Sequence, residues 1–214
     1  MNEKAELRKQ WMEREAGLHE NYIAASNAGI IRNLFSLYEF QCAETVLFFY
    51  SIWSEPDTHE MIHRALDLGK TIALPKTYPK GVMTARKIVR LDELTPSRFG
   101  IPEPAESALV IAPDDLDFIV VPAVAFDRNG YRLGHGAGYY DRYLSSTRAF
   151  ACGIVREKML VSRVPLEKHD VRVNCIVTEN EILRFGGQER DSTCADASAC
   201  RFRKLLLVST VSDC

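Results

Sequence analysis

"ETVLFFYSIWSEPDTHEMIHRALDLGKTIALPKT", residues 44–77, sets two apolar runs on either side of a punctuated polar–apolar segment. ETVLFFYSI (44–52) is an unbroken apolar run, dense in β-formers and bounded by polar residues, the pattern of a strand buried on both faces. EPDTHEMIHRALDLG then carries helix punctuation. Asp57 or Thr58 can cap the start, Glu60 lies in the first turn, and Gly69 is placed for the stop. KTIALPKT (70–77) follows as a second strand. A strand, a helix and a strand in succession imply parallel pairing through a right-handed crossover.

The pattern repeats outward from this unit. Residues 3–41 are charge-rich, with Leu7, Trp11, Leu18, Ile30, Ile31, Leu34 and Leu37 at helical intervals, which predicts two helices broken near Gly29. Downstream, GVMTARKIV (81–89) alternates loosely enough for a further strand. RFGIPEPAES (98–107), with its two prolines, predicts an extended surface connection. LDFIVVPAVAF (116–126) reads as the strongest strand and ends at the turn signal DRNG. YYDRYLSST (139–147) reads as a short helix, and AFACGIV (149–155) and RVNCIVTE (172–179) as two more strands. This alternation predicts an α/β fold: a mainly parallel sheet flanked by helices on both faces, a three-layer sandwich.

A chain of 214 residues with 46% hydrophobic content suits one large domain. That domain is expected over residues 1–185. From Gly186 the sequence becomes small, polar and aperiodic, so residues 186–214 are expected to form a loosely ordered tail. Its short apolar run LLLVSTV (205–211) is not assigned to the sheet. The net charge of −2 argues against a nucleic-acid partner held by bulk electrostatics. No run of 18 apolar residues is present, so no membrane partner is expected. The N-terminus MNEKAELRKQ lacks a signal peptide's apolar core. Cys42, Cys152, Cys175, Cys194, Cys200 and Cys214 form no C-x-x-C pair, which favours reduced thiols. A cytoplasmic monomer is the expectation, with a mitochondrial pool left open.

The chemistry concentrates in YRLGHGAGYYDRYL (131–144). Three glycines on alternate positions stand directly before a helix start, although glycine weakens both helices and strands. The stretch is therefore either a plain turn or a loop shaped around a ligand. A glycine-rich turn running into a helix N-terminus offers several backbone N–H groups to an anion. The spacing is G-x-G-x-G over Gly134, Gly136 and Gly138. That is neither the G-x-G-x-x-G of dinucleotide sites nor a P-loop, since no Gly-Lys-Ser/Thr follows. Asp141 is either a first-turn acid or a Mg²⁺ ligand beside bound phosphate. Arg132 is either solvated or a bidentate phosphate partner.

FDRNGYRLGHGAGYYDRYL (126–144) resembles the signature of the 5-formyltetrahydrofolate cyclo-ligase family, roughly F-D-x-x-G-x-R-L-G-x-G-x-G-Y-Y-D. KAELRK (4–9), SEPDT (54–58), FGIPEP (99–104), DFIVVPAVAFD (117–127) and VPLEKHDVRVN (164–174) fall in the family's order and spacing, so the likeness spans about residues 3–180. The resemblance implies an ATP- and Mg²⁺-dependent conversion of 5-formyltetrahydrofolate to 5,10-methenyltetrahydrofolate with release of ADP and phosphate. Carried across residue by residue, ATP contacts fall on Lys4, Arg8, Arg132, Leu133, Gly134, His135, Gly136, Ala137, Gly138, Tyr139 and Tyr140. Folate contacts fall on Tyr50, Glu55, His135, Gly136, Ala137, Gly138 and Tyr139. Arg132 and Tyr139 take the catalytic roles, and Asp141 and Asn174 the metal roles.

Two departures stand out. Asn174 replaces a family carboxylate and brings no charge, which leaves Asp170 as an alternative ligand. Ala137 stands where some members carry lysine, although others have a small residue. The competing reading is a non-catalytic relative that keeps the fold as a binding module.

Overall fold

The computed structural model describes residues 3–97 and 100–185. Its helices are α1 (Glu3–Ala16), α2 (Glu20–Ser36), α3 (Tyr38–Cys42), α4 (Thr58–Asp67) and α5 (Tyr139–Leu144). Its strands in chain order are β1 (Thr45–Leu47), β2 (Thr71–Tyr78), β3 (Val82–Ile88), β4 (Thr95–Pro96), β5 (Pro102–Glu103), β6 (Val110–Ile111), β7 (Phe118–Val121), β8 (Ala125–Asp127), β9 (Arg132–Leu133), β10 (Phe150–Ile154), β11 (Leu160–Val161), β12 (Cys175–Val177) and β13 (Ile182–Arg184).

The β1–α4–β2 unit forms as read. Asp57 caps α4, its side chain accepting the His59 N–H at 2.9 Å. Thr58, Met61, Ile62 and Ala65 share the buried stripe of that helix. Complete burial of Met61 and Ile62 stabilises by about 1.5–3 kcal/mol each. β1 and β2 then pair in parallel, Val46 opposite Ile72.

The main sheet has eight strands in the order β13-β12-β10-β7-β1-β2-β3-β6. The five from β12 to β2 run parallel, while β13, β3 and β6 add antiparallel edges. Ile30 and Leu34 of α2, Phe40 of α3 and Met61 of α4 cover one face, against Val46, Ile72 and Phe118. The other face is covered by α5 and by a small sheet, β11-β8-β9, with Trp11 of α1 packed alongside. The result is the three-layer α/β sandwich, with one outer layer built partly of strands. Phe126 of β8 fastens the small sheet down. Its ring lies over Gly153 of β10 so closely that a Cβ there would come within 2.4 Å.

Three local expectations are corrected. The break between the first two helices is at Gly17–His19, not Gly29. His19 caps α2 by accepting the Asn21 N–H. Gly29 lies inside α2, where a Cβ would come within 2.6 Å of Glu179, so it lets the helix pack closely on the turn between β12 and β13. LDFIVVPAVAF divides into β7 and β8, which belong to different sheets. Pro122 lies between them and has no N–H to continue a ladder. Residues 100–107 are more than a surface connection: β5 pairs with β4, and Glu103 is buried, accepting the Thr77 hydroxyl at 2.6 Å.

Cys152 and Cys175 face each other across β10 and β12, fully buried as free thiols. Burial, reinforced by the neighbouring Cys175, pushes the Cys152 thiol up. Among the described residues no helix is long and apolar enough to cross a membrane. The expected tail, with LLLVSTV and Cys194, Cys200 and Cys214, lies outside the described residues.

Candidate functional site

Because β1, β2 and β7 are parallel, their C-terminal ends share one edge of the sheet. The chain leaves β1 toward β2 on one side, whereas β7 joins β1 on the other. Loops part at such a switch point and leave a crevice. A cavity of about 710 Å³ opens there, walled by Phe49 and Tyr50 beyond β1, Pro75 and Thr77 of β2, and Pro122 beyond β7.

The glycine loop joins β9 to α5 and forms another wall. Gly136 (φ 99°) and Gly138 (φ 69°) are left-handed, a backbone that side chains rarely adopt. Gly138 is the residue before α5, so the loop delivers its amides directly to that helix start. Arg8 braces the loop from α1. Its Nε donates to the Gly134 carbonyl at 2.7 Å, and its guanidinium lies 3.3 Å from where a Gly136 Cβ would stand. Lys4, one turn earlier on α1, is buried and holds Asp170 at 2.7 Å and Glu167 at 3.5 Å.

Arg132 is 7% exposed. One nitrogen donates to the Val171 carbonyl at 2.8 Å and the other to Asp141 at 2.5 Å. Burial pulls its pKa below the ordinary arginine value, and the nearby charges of Asp141 and Asp170 draw it back. The Val171 N–H donates to the same Asp141 oxygen at 3.3 Å, which ties the segment after Asp170 to α5. Tyr139 donates its hydroxyl to the Tyr78 carbonyl. The Tyr140 hydroxyl is buried without a hydrogen-bond partner among the described residues, and burial, with Glu55 adding to it, raises its pKa.

At the far wall, Tyr50 packs its ring on His59, with centroids 4.3 Å apart. The Glu55 carboxylate accepts the Ile52 N–H at 2.9 Å and approaches the His135 ring nitrogen at 3.6 Å. His135 is thus exposed yet stands beside a cavity acid. Glu15 of α1 belongs to the same electrostatic cluster. Burial and then Glu55 raise its pKa, while Arg156 and His135 lower it.

Lys4, Arg8, Tyr50, Glu55, Asp141 and the whole run Arg132–Tyr140 line this one cavity. Asn174 does not. It stands just before β12, where its side-chain oxygen accepts the Ala151 N–H at 2.8 Å and its own N–H donates to the Ala151 carbonyl. Asp170, four residues earlier, does line the cavity along with Asp141. Glu167, His169 and Asp170 bring ligand atoms within 4.8 Å of one another. The sequence reading missed Trp53, Glu103, Glu167 and His169 as lining residues. They come from loops and a short ribbon that only tertiary packing brings together.

Comparison with known proteins bears on this arrangement. The model of the 5-formyltetrahydrofolate cyclo-ligase family matches residues 1–179. The chain is 32% identical over 152 residues to the 5-formyltetrahydrofolate cyclo-ligase of Escherichia coli K12, covering 67% of this chain and 82% of that protein. Among solved structures, the 5,10-methenyltetrahydrofolate synthetase of Aquifex aeolicus superposes with a TM-score of 0.77 at 32% identity, covering 90% of this chain and 98% of the other. The synthetase of Mycoplasma pneumoniae shares the fold with a TM-score of 0.68 at 21% identity, over 83% of this chain and 99% of the other.

Proposed function

Since the chain belongs to the 5-formyltetrahydrofolate cyclo-ligase family, a family of ligases, we propose that it converts 5-formyltetrahydrofolate to 5,10-methenyltetrahydrofolate at the expense of ATP. The observation that carries this reading is the single cavity. It joins a glycine loop suited to phosphate with a wall of Tyr50 and Glu55 suited to a flat, hydrogen-bonding ring.

A formamide oxygen is a poor leaving group. In the proposed reaction that oxygen attacks the γ-phosphorus of ATP and displaces ADP, leaving the formyl oxygen phosphorylated as an imidate-like phosphate. N10 of the folate then attacks the formyl carbon, the C–O bond breaks, phosphate departs and the N10 proton is lost. The protein's task is positioning and charge stabilisation rather than covalent catalysis. The amides of residues 134–138 and the side chains of Lys4 and Arg8 bind the triphosphate. Arg132 neutralises charge developing on the transferred phosphoryl group. Tyr140 contributes to the cavity wall beside Tyr139. Glu55 accepts hydrogen bonds from the pterin's N–H groups, and Tyr139 borders both ligands.

The carboxylate oxygens at this wall fit a hard divalent cation. Asp141 would hold Mg²⁺, with Asp170 rather than Asn174 as the second carboxylate. The ion would neutralise phosphate charge. The test is turnover: purified protein with ATP, Mg²⁺ and 5-formyltetrahydrofolate yields the methenyl product and ADP in equal amounts. No product under saturating conditions overturns the proposal.

A further inference from the structure

Trp53 is out of place by the ordinary rules. It is 85% exposed and is absent from all three apolar clusters of the described residues. Its backbone sits at φ 50°, a left-handed conformation that a bulky side chain seldom takes. The turn around it is well held. The Glu55 N–H donates to the Ile52 carbonyl at 3.1 Å, and the Glu55 carboxylate accepts the Ile52 N–H at 2.9 Å. The same two bonds therefore fix the cavity's acid and the backbone that carries the indole. Trp53 lines that cavity together with Tyr50, Ile101 and Pro102. Strain without packing is a reason to look for a ligand.

We propose that Trp53 is a substrate-contacting residue whose indole stacks on the flat conjugated ring of the reduced folate while Glu55 takes the ring's polar edge. The assignment rests on the folate reading above. An indole is well suited to this: it offers a large rigid π-face at small entropic cost, and its exposed position leaves that face available. Folate contact is what the strained turn supports.

Steady-state kinetics and melting on the full chain test it. Trp53→Gly removes the ring and relieves the backbone, because glycine adopts positive φ freely. The expected result is a rise of about tenfold in KM for 5-formyltetrahydrofolate, the scale of a lost aromatic stack. KM for ATP is unchanged, and Tm does not fall. Trp53→Phe keeps a smaller ring and stays within about threefold of the native folate KM. The chain has two tryptophans, so Trp11→Phe leaves Trp53 as the sole indole, and its emission is quenched saturably by 5-formyltetrahydrofolate but not by ATP alone. Native turnover with an unchanged folate KM in Trp53→Gly, or a lowered Tm with no kinetic effect, overturns this assignment alone. A native protein that neither binds nor turns over the folate removes the reading beneath it, and the assignment with it.

Discussion

Replacing Arg132 by alanine separates what this residue does for folding from what it does for chemistry. Its guanidinium is 4% exposed and its partner Asp141 20% exposed, joined at 2.5 Å, with a further bond to the Val171 carbonyl. Removing the cation leaves a mostly buried carboxylate unpaired, which costs about 3–5 kcal/mol in a fully buried pair. Asp141 keeps some contact with water, so about 3 kcal/mol is expected here. For a domain of this size that lowers Tm by about 6–12 °C. Turnover, measured well below both melting temperatures so that the folded fraction is equal, should fall by about 10²–10³. The double variant Arg132→Ala with Asp141→Asn removes the orphan charge. It should regain much of the lost Tm and none of the lost turnover. A single variant whose turnover stays within about threefold of native would refute a role for Arg132 in phosphoryl transfer and leave it a structural residue.

Gly136→Ala places a Cβ at φ 99° and 3.3 Å from the Arg8 guanidinium. It should raise KM for ATP about tenfold, since a left-handed L-residue costs roughly 1–2 kcal/mol; an unchanged KM for ATP would count against a nucleotide role for the loop. The Tyr22 pKa is pushed up to about 12 by burial and by the hydrogen bond to Glu179. Above the ordinary value of 10.0 the unfolded chain therefore binds fewer protons than the folded one, so this contribution to stability is lost as pH rises through 12. The Tm advantage of the native protein over Tyr22→Phe should shrink across that window, and a constant advantage contradicts the linkage. A chain ending at Phe185 keeps every cavity residue and should retain turnover within about twofold; loss of activity would give residues 186–214 a part in the domain.

The β1–α4–β2 unit was legible because its signals are local: a cap, a periodic stripe, a glycine stop and two apolar runs. The glycine loop was legible as a tight turn before a helix, since alternate glycines permit the positive φ found at Gly136 and Gly138, but a plain turn and a ligand loop share that pattern. The family resemblance then added Lys4, Arg8, Tyr50 and Glu55, charges and rings that no local pattern separates from ordinary surface residues. What escaped the reading depends on contacts far apart in sequence. Gly29 looked like a helix breaker because nothing in residues 3–41 shows Glu179 pressing against it. LDFIVVPAVAF reads as one strand because hydrophobicity does not record a change of sheet at Pro122. Asn174 looked like a weakened metal ligand, yet the Ala151 N–H, 23 residues away in the chain, takes its oxygen. Glu103 and Trp53 sit in stretches whose composition says loop, and only the cavity that the fold assembles gives them a place.

In the proposed function, main-chain amides between Leu133 and Tyr140 hold the nucleotide's phosphates. A crystal structure of the protein with ATP and Mg²⁺ tests this most directly. The triphosphate should lie against the amides of residues 134–138, within reach of Lys4, Arg8 and Arg132; phosphates bound elsewhere, with those amides still facing solvent, would contradict it.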